Sequence, residues 1–155
     1  MPVRLVQFAA IVLTAVVLVP GGAHLFALPN KIALSQEAYL AVQGIYRGWS
    51  LLGAVIIAAL AANAVNAVMV RRRRTAFVWA LAATILIAAN LAVFFAVTYP
   101  ANVATANWTQ LPEGWEALRL RWEYSHAINA VIMFAAFCAV TASALTAKPG
   151  DRQTA

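Results

Sequence analysis

Trp115, Arg119, Trp122 and His126 recur at intervals of four, three and four residues, so on an α-helix they form one stripe, with Glu123 beside it and one turn from Arg119. The chain holds only one other histidine, His24. Several chemistries suit these residue types. His24, His126 and Glu123 would supply two imidazoles and a carboxylate to a single metal ion, the ligand set of many non-haem iron sites. Glu123 and His126 also have the Glu-x-x-His spacing of di-iron bundles, but the second copy is missing, because position 21 is Gly. Two imidazoles from different helices could instead clamp a haem iron, with Arg47 or Arg119 on the propionates. Without any cofactor, a histidine could act as general base on a phenolic or enolic substrate held between Trp49, Trp108, Trp115 and Trp122, with Arg119 stabilising the developing anion. A purely structural alternative makes the tryptophans an interfacial belt, sends the arginines to lipid headgroups and neutralises Arg119 with Glu123.

Hydrocarbon surrounds this stripe. Of 155 residues, 64% are hydrophobic and 10% charged, whereas soluble domains carry roughly 25% charge. This composition excludes an ordinary soluble domain and predicts one all-α membrane domain, residues 1–155, of four spans near 5–28, 47–70, 76–99 and 115–147. Each span is long enough to cross about 30 Å of hydrocarbon at roughly 1.5 Å per residue. The first span is read as an uncleaved helix kinked at Pro20, rather than a signal peptide, since its apolar character continues past that proline.

A polar connection is expected over residues 29–46, with Ser35 capping a short interfacial helix from Glu37. The Gly44-x-x-x-Gly48 spacing permits close helix approach. Asn63 and Asn66 are expected to bond neighbouring helices or backbone, and Pro100 to end the third span. Cys138, the only cysteine, offers no disulfide or metal pair.

The net charge of +6 does not indicate nucleic acid, because four of the eleven basic residues form the turn at 71–74 between two spans, where arginines signal topology. With four spans, Arg4, the four arginines, Lys148 and Arg152 share one side, seven residues against Lys31, Arg47, Arg119 and Arg121 on the other. Both termini are therefore expected in the cytoplasm. Glu37, Glu113, Glu116 and Glu123 fall on the opposite side. There His24, His126, Arg47 and Trp49 reach similar depth, with Asn90 about two turns deeper, and an ionisable residue within a span faces the bundle interior or water with a partner. The inner half offers only Asn63, Asn66, Thr84 and Asn90, which argues against a proton pump or transporter.

TYPAN (98–102), Trp108, LRLRWEYSH (118–126) and Asn129 together resemble the anthrone oxygenase-like family of small four-helix membrane proteins. HLFALPNKI (24–32) and VQGIYRGWSLLG (42–53) look like a bacterial branch of it, which implies the bacterial inner membrane. The resemblance covers essentially the whole chain. It implies a four-helix bundle and, for the fungal members, oxygenation of a polycyclic anthrone to an anthraquinone without an established external cofactor. By motif position the family-like residues are Asn102, Trp108, Arg119, Trp122 and His126.

The resulting expectation is a membrane-embedded oxidoreductase for a hydrophobic aromatic or quinone-like substrate, with His126, Arg119 and His24 catalytic. Trp122, Trp108, Trp49, Asn102, Arg47 and Asn90 would line the substrate, and any cofactor would be a single metal ion or a haem. The alternative is a non-enzymatic membrane protein that binds a lipid, a haem or a partner helix, including another copy of itself through its small-residue faces.

Overall fold

The computed structural model describes residues 2–147; the expected tail with Lys148, Asp151 and Arg152 lies outside them. Six α-helices follow in order: α1 (Pro2–Lys31), α2 (Gln36–Gln43), α3 (Leu52–Val70), α4 (Arg74–Val93), α5 (Tyr99–Ala104) and α6 (Trp115–Thr146). No strand occurs among the described residues. Four continuous helical stretches, Pro2–Lys31, Trp49–Val70, Arg74–Ala104 and Trp115–Thr146, are long and apolar enough to cross a membrane. In the bundle α1 packs on α3 and α6, and α4 packs on the same two.

The core is built from small residues. Ala10, Ala59, Ala76, Ala80, Ala83 and Ala136 are fully buried, whereas Phe8, Phe26, Ile85, Phe134 and Leu145 face outward. Water would drive the large side chains inward; lipid does not, so helices approach through small residues and their bulky ones meet the bilayer. At Gly21 a Cβ atom would lie 3.4 Å from the Ala130 Cα, so α1 and α6 touch backbone to backbone there. Close approach falls at this glycine rather than at the expected Gly44 and Gly48, which have nothing within 4 Å of such a Cβ. Gly48 serves a turn, with φ of 87°.

Polar residues sew together the half of the bundle nearer the 71–74 turn. Asn63 Nδ2 donates to Thr14 Oγ1 at 3.0 Å and to Ala59 O at 2.9 Å. Asn66 Nδ2 donates to Ser143 Oγ at 3.4 Å, and Ser143 Oγ donates to Ala76 O at 2.9 Å. These bonds satisfy groups that lipid could not hydrate. Cys138 is exposed on the outer surface of α6.

Two helices run past their expected ends, and both extensions position the polar end. α1 does not stop at Pro29 but runs on to Lys31, with Ile32 N donating to Leu28 O at 3.0 Å. Proline costs a helix one backbone bond, and here the buried ion pair of Lys31 holds the last turn in place. Nor does Pro100 end the third span. Residues Phe94–Thr98 form a wider π-helical turn, and the chain continues helically through α5 to Ala104. Pro100 has no N–H for the residue four back, and the widened turn accommodates its ring without breaking the rod. Ser35 caps α2 as expected, its Oγ accepting from Ala38 N at 3.4 Å.

At roughly 1.5 Å per residue the 30-residue α1 is about 45 Å long. That exceeds the roughly 30 Å hydrocarbon layer, so the last turns of α1 and the first turns of α6 project to the interface. His24, Lys31, Glu123 and His126 all lie toward that end.

Candidate functional site

His24 and His126 meet. Their rings stack with centroids 4.0 Å apart and planes 14° apart, where α1 and α6 run side by side. Trp122, one turn before His126, stands edge-on to both at 5.0 Å and 4.3 Å. Tyr46 covers His24 at 4.3 Å and Trp49 meets it at 5.7 Å. The imidazole pair therefore lies inside a box of aromatic rings. His24 Nδ1 is buried without a hydrogen-bond partner.

Beside the box lies a charged cluster that spacing did not reveal. Lys31 Nζ is 2.9 Å from Glu123 Oε2, with side-chain exposures of 4% and 0%. The same ammonium donates to the Tyr46 hydroxyl at 3.0 Å and lies 4.9 Å and 5.2 Å from the ring centres of Tyr46 and Trp122. Tyr39, fully buried on α2, donates its hydroxyl to Glu123 Oε1 at 3.0 Å. Burial, and then the Glu123 carboxylate, push the Tyr39 phenol above its ordinary range, so it stays a donor. Glu123 is thus committed to Lys31 and Tyr39. Neither the Arg119–Glu123 pairing of the structural alternative nor the His24–His126–Glu123 metal triad forms, and no group of three or more His, Cys, Asp or Glu able to hold a metal ion occurs among the described residues.

The stacking also does not fit a haem held between the two histidines. Axial ligation turns two imidazoles nitrogen to nitrogen across the iron. Here they lie face on face, and no iron fits between them.

Arg119 is a clamp rather than a free cation. Its Nη1 donates to Leu34 O at 2.7 Å, and its guanidinium lies 4.6 Å from the Trp115 ring centre and 5.4 Å from that of Tyr39. It ties the loop after α1 to the start of α6. Trp115 and Trp108 are buried with Tyr39 and Trp122 in one aromatic core, so neither stands in a lipid belt. Trp108 reaches that core through a strained turn in which Ala106, Asn107 and Trp108 have φ of 47°, 56° and 62°. Such values are unusual for residues with a Cβ, and Trp108 N to Thr105 Oγ1 at 3.1 Å and Asn107 N to Asn102 O at 2.7 Å hold the turn.

Asn102 accepts from Trp122 Nε1 at 2.7 Å and so fixes one wall of the box. Asn90 donates to Asn129 O at 3.1 Å, deeper in the bundle. Arg47 departs from expectation: it is exposed in the turn between Tyr46 and Trp49, because the chain leaves the helical path before α3 begins. Arg121 is exposed as well. Lys31, Tyr39 and Tyr46 are the site residues that sequence reasoning missed. Lys31 carried one signal: it stands seven residues after His24, two turns along the same helical face.

The fold defines an all-helical integral membrane protein that carries a buried cluster of ionisable side chains, Lys31 and Glu123 with Tyr39 and Tyr46, at one end. Comparison with protein families, characterised proteins and solved structures yields no match for this chain.

Proposed function

We propose that this protein is a membrane-embedded oxidoreductase of the anthrone oxygenase-like type, acting on a hydrophobic, hydroxylated aromatic or quinone-like substrate. The observation that carries the reading is the stacked His24–His126 pair inside walls of Tyr46, Trp49 and Trp122, with the Lys31 ammonium beside it. Histidine is the side chain best suited to move a proton near neutral pH. The aromatic walls suit a planar ring system. By its basic residues we assign the site to the non-cytoplasmic face of a bacterial inner membrane.

The reaction balances without a cofactor: an anthrone and O₂ give an anthraquinone and water. His126 takes the proton from the anthrone methylene or from its enol hydroxyl. The electron-rich anion then forms a C–O bond to O₂ and recovers a proton as the hydroperoxide. Loss of the remaining C–H proton and cleavage of the O–O bond release water and leave the new carbonyl. Lys31, rather than the clamped Arg119, is the cation placed to stabilise the anion.

The test is O₂ uptake and ¹⁸O incorporation from ¹⁸O₂ with an anthrone and purified protein. Replacing His126 or His24 by Gln is expected to lower the rate about 10²–10⁴-fold. A wild-type rate no faster than spontaneous autoxidation would remove the enzyme reading.

A second reading, a non-enzymatic protein that binds a lipid chain or partner helix, draws on an apolar groove of about 320 Å³ lined by Leu25, Tyr124, Ala127, Ile128, Val131 and Ile132. Co-purification of a stoichiometric lipid or second chain, with no turnover, would favour it.

A further inference from the structure

Tyr46 does what a phenolic ligand would do. Its ring lies over the His24 imidazole at 4.3 Å with planes 33° apart, and its hydroxyl accepts from Lys31 Nζ at 3.0 Å. It also meets Trp49 and Trp122 at 4.9 Å and 5.8 Å. A planar hydroxylated aromatic entering the box would seek the same contacts: a face on the imidazole, edges on two indoles and an oxygen on the ammonium.

The backbone that carries Tyr46 is weakly held. It is a single 3₁₀ turn, Gly44–Tyr46, between Gly44 and Gly48, and nothing lies within 4 Å of a Cβ built at either glycine. Gly44, Ile45, Arg47 and Gly48 are all exposed, so Tyr46 is the one residue of the turn that enters the protein. The turn's own backbone bonds are local, Arg47 N to Gly44 O at 3.3 Å and Leu51 N to Gly48 O at 3.1 Å. Withdrawing the side chain would cost ring contacts and one hydrogen bond, all of which an incoming phenol restores. Gly48, already at φ of 87°, is the residue able to absorb the backbone change.

We propose that Tyr46 is a displaceable plug: its phenol occupies the binding position of a planar hydroxylated aromatic ligand, which enters as Tyr46 swings out and takes over the hydrogen bond from Lys31. This rests on the reading of the histidine box as the substrate site and names the ligand class and gate of that site. It concerns binding alone, so it can hold where turnover fails.

The probe is 2-naphthol, compared with naphthalene, titrated calorimetrically into protein in lipid nanodiscs, with empty nanodiscs subtracted. A ligand that must displace an internal group binds more weakly by the fraction of time the site is open. Tyr46→Ala is therefore expected to bind 2-naphthol at least about tenfold more tightly than the wild type, and Tyr46→Phe, which keeps the ring but frees Lys31, to fall between them. In Tyr46→Ala, 2-naphthol should bind more tightly than naphthalene, and adding Lys31→Met should abolish that preference. The proposal is overturned if both Tyr46 variants bind 2-naphthol no better than the wild type, or if hydroxyl preference survives without Lys31. Should Tyr46→Ala fail to fold, Tyr46→Phe decides: unchanged affinity overturns the proposal. Tight 2-naphthol binding without anthrone turnover would retain the plug and remove the oxygenase.

Discussion

The Lys31 ammonium lies 2.9 Å from the Glu123 carboxylate, joining the last turn of α1 to the first turns of α6 with both side chains sealed from solvent. Tyr39 donates to the other carboxylate oxygen and Tyr46 accepts from the ammonium, so one ion pair organises two loop segments as well as two helices.

Lys31→Met or Glu123→Gln alone is expected to destabilise the protein by about 3–5 kcal/mol, because each leaves an uncompensated buried charge or its stranded partners. Lys31→Met combined with Glu123→Gln is expected to cost less than the sum. Unfolding in detergent for the three variants forms the double-mutant cycle, and simple additivity would mean that the pair is not coupled.

Asn102→Ala removes the acceptor for Trp122 Nε1 and leaves a buried indole donor unpaired. The expected loss is about 1–3 kcal/mol. Trp122 should also reorient, which shifts its share of the emission of the five tryptophans, read as the difference from Trp122→Phe. A variant as stable as the parent, with unchanged emission, would show that this bond does not hold the wall of the box.

Gly21→Leu sets a side chain where a Cβ would already meet the Ala130 backbone at 3.4 Å. Overpacking of this kind costs about 1–3 kcal/mol, and here it would separate α1 from α6 just where the two histidines are carried. Ligand affinity and thermal stability should fall together. Unchanged stability would show that the helices can part at no cost.

Tyr39 has its phenol pushed above the ordinary value by burial and by Glu123. As pH rises past about 10 the unfolded chain loses this proton while the folded chain keeps it. The stability contributed by the raised value is therefore fully present below the unfolded value and is lost as pH climbs toward the folded one. Ultraviolet titration of the folded protein between about pH 10 and 12 should give the same phenolate absorbance for the wild type and Tyr39→Phe. An extra tyrosine's worth of absorbance in the wild type would contradict the buried pairing.

The outline of the fold was legible in the residues themselves. Apolar runs long enough to cross a bilayer, separated by the arginines at 71–74 and by two polar connections, predict four spans, and four helices of that character are present. The helical spacing of Trp115, Arg119, Trp122 and His126 marked the face of α6 that carries the site. Antiparallel topology brought His24 to the same end, and the rings do meet.

What the linear chain could not disclose was partnership. Spacing sets Lys31 in a polar connection and Glu123 one turn from Arg119, yet Lys31 holds Glu123 and Arg119 holds a backbone oxygen. Helical periodicity names the residues that share a face, because it depends only on the local repeat of the backbone. Which cation pairs with which carboxylate depends on where α1 ends, how closely Gly21 lets it approach α6 and which rings fill the space between. Those are distances across the bundle, and only the packed tertiary structure decided them.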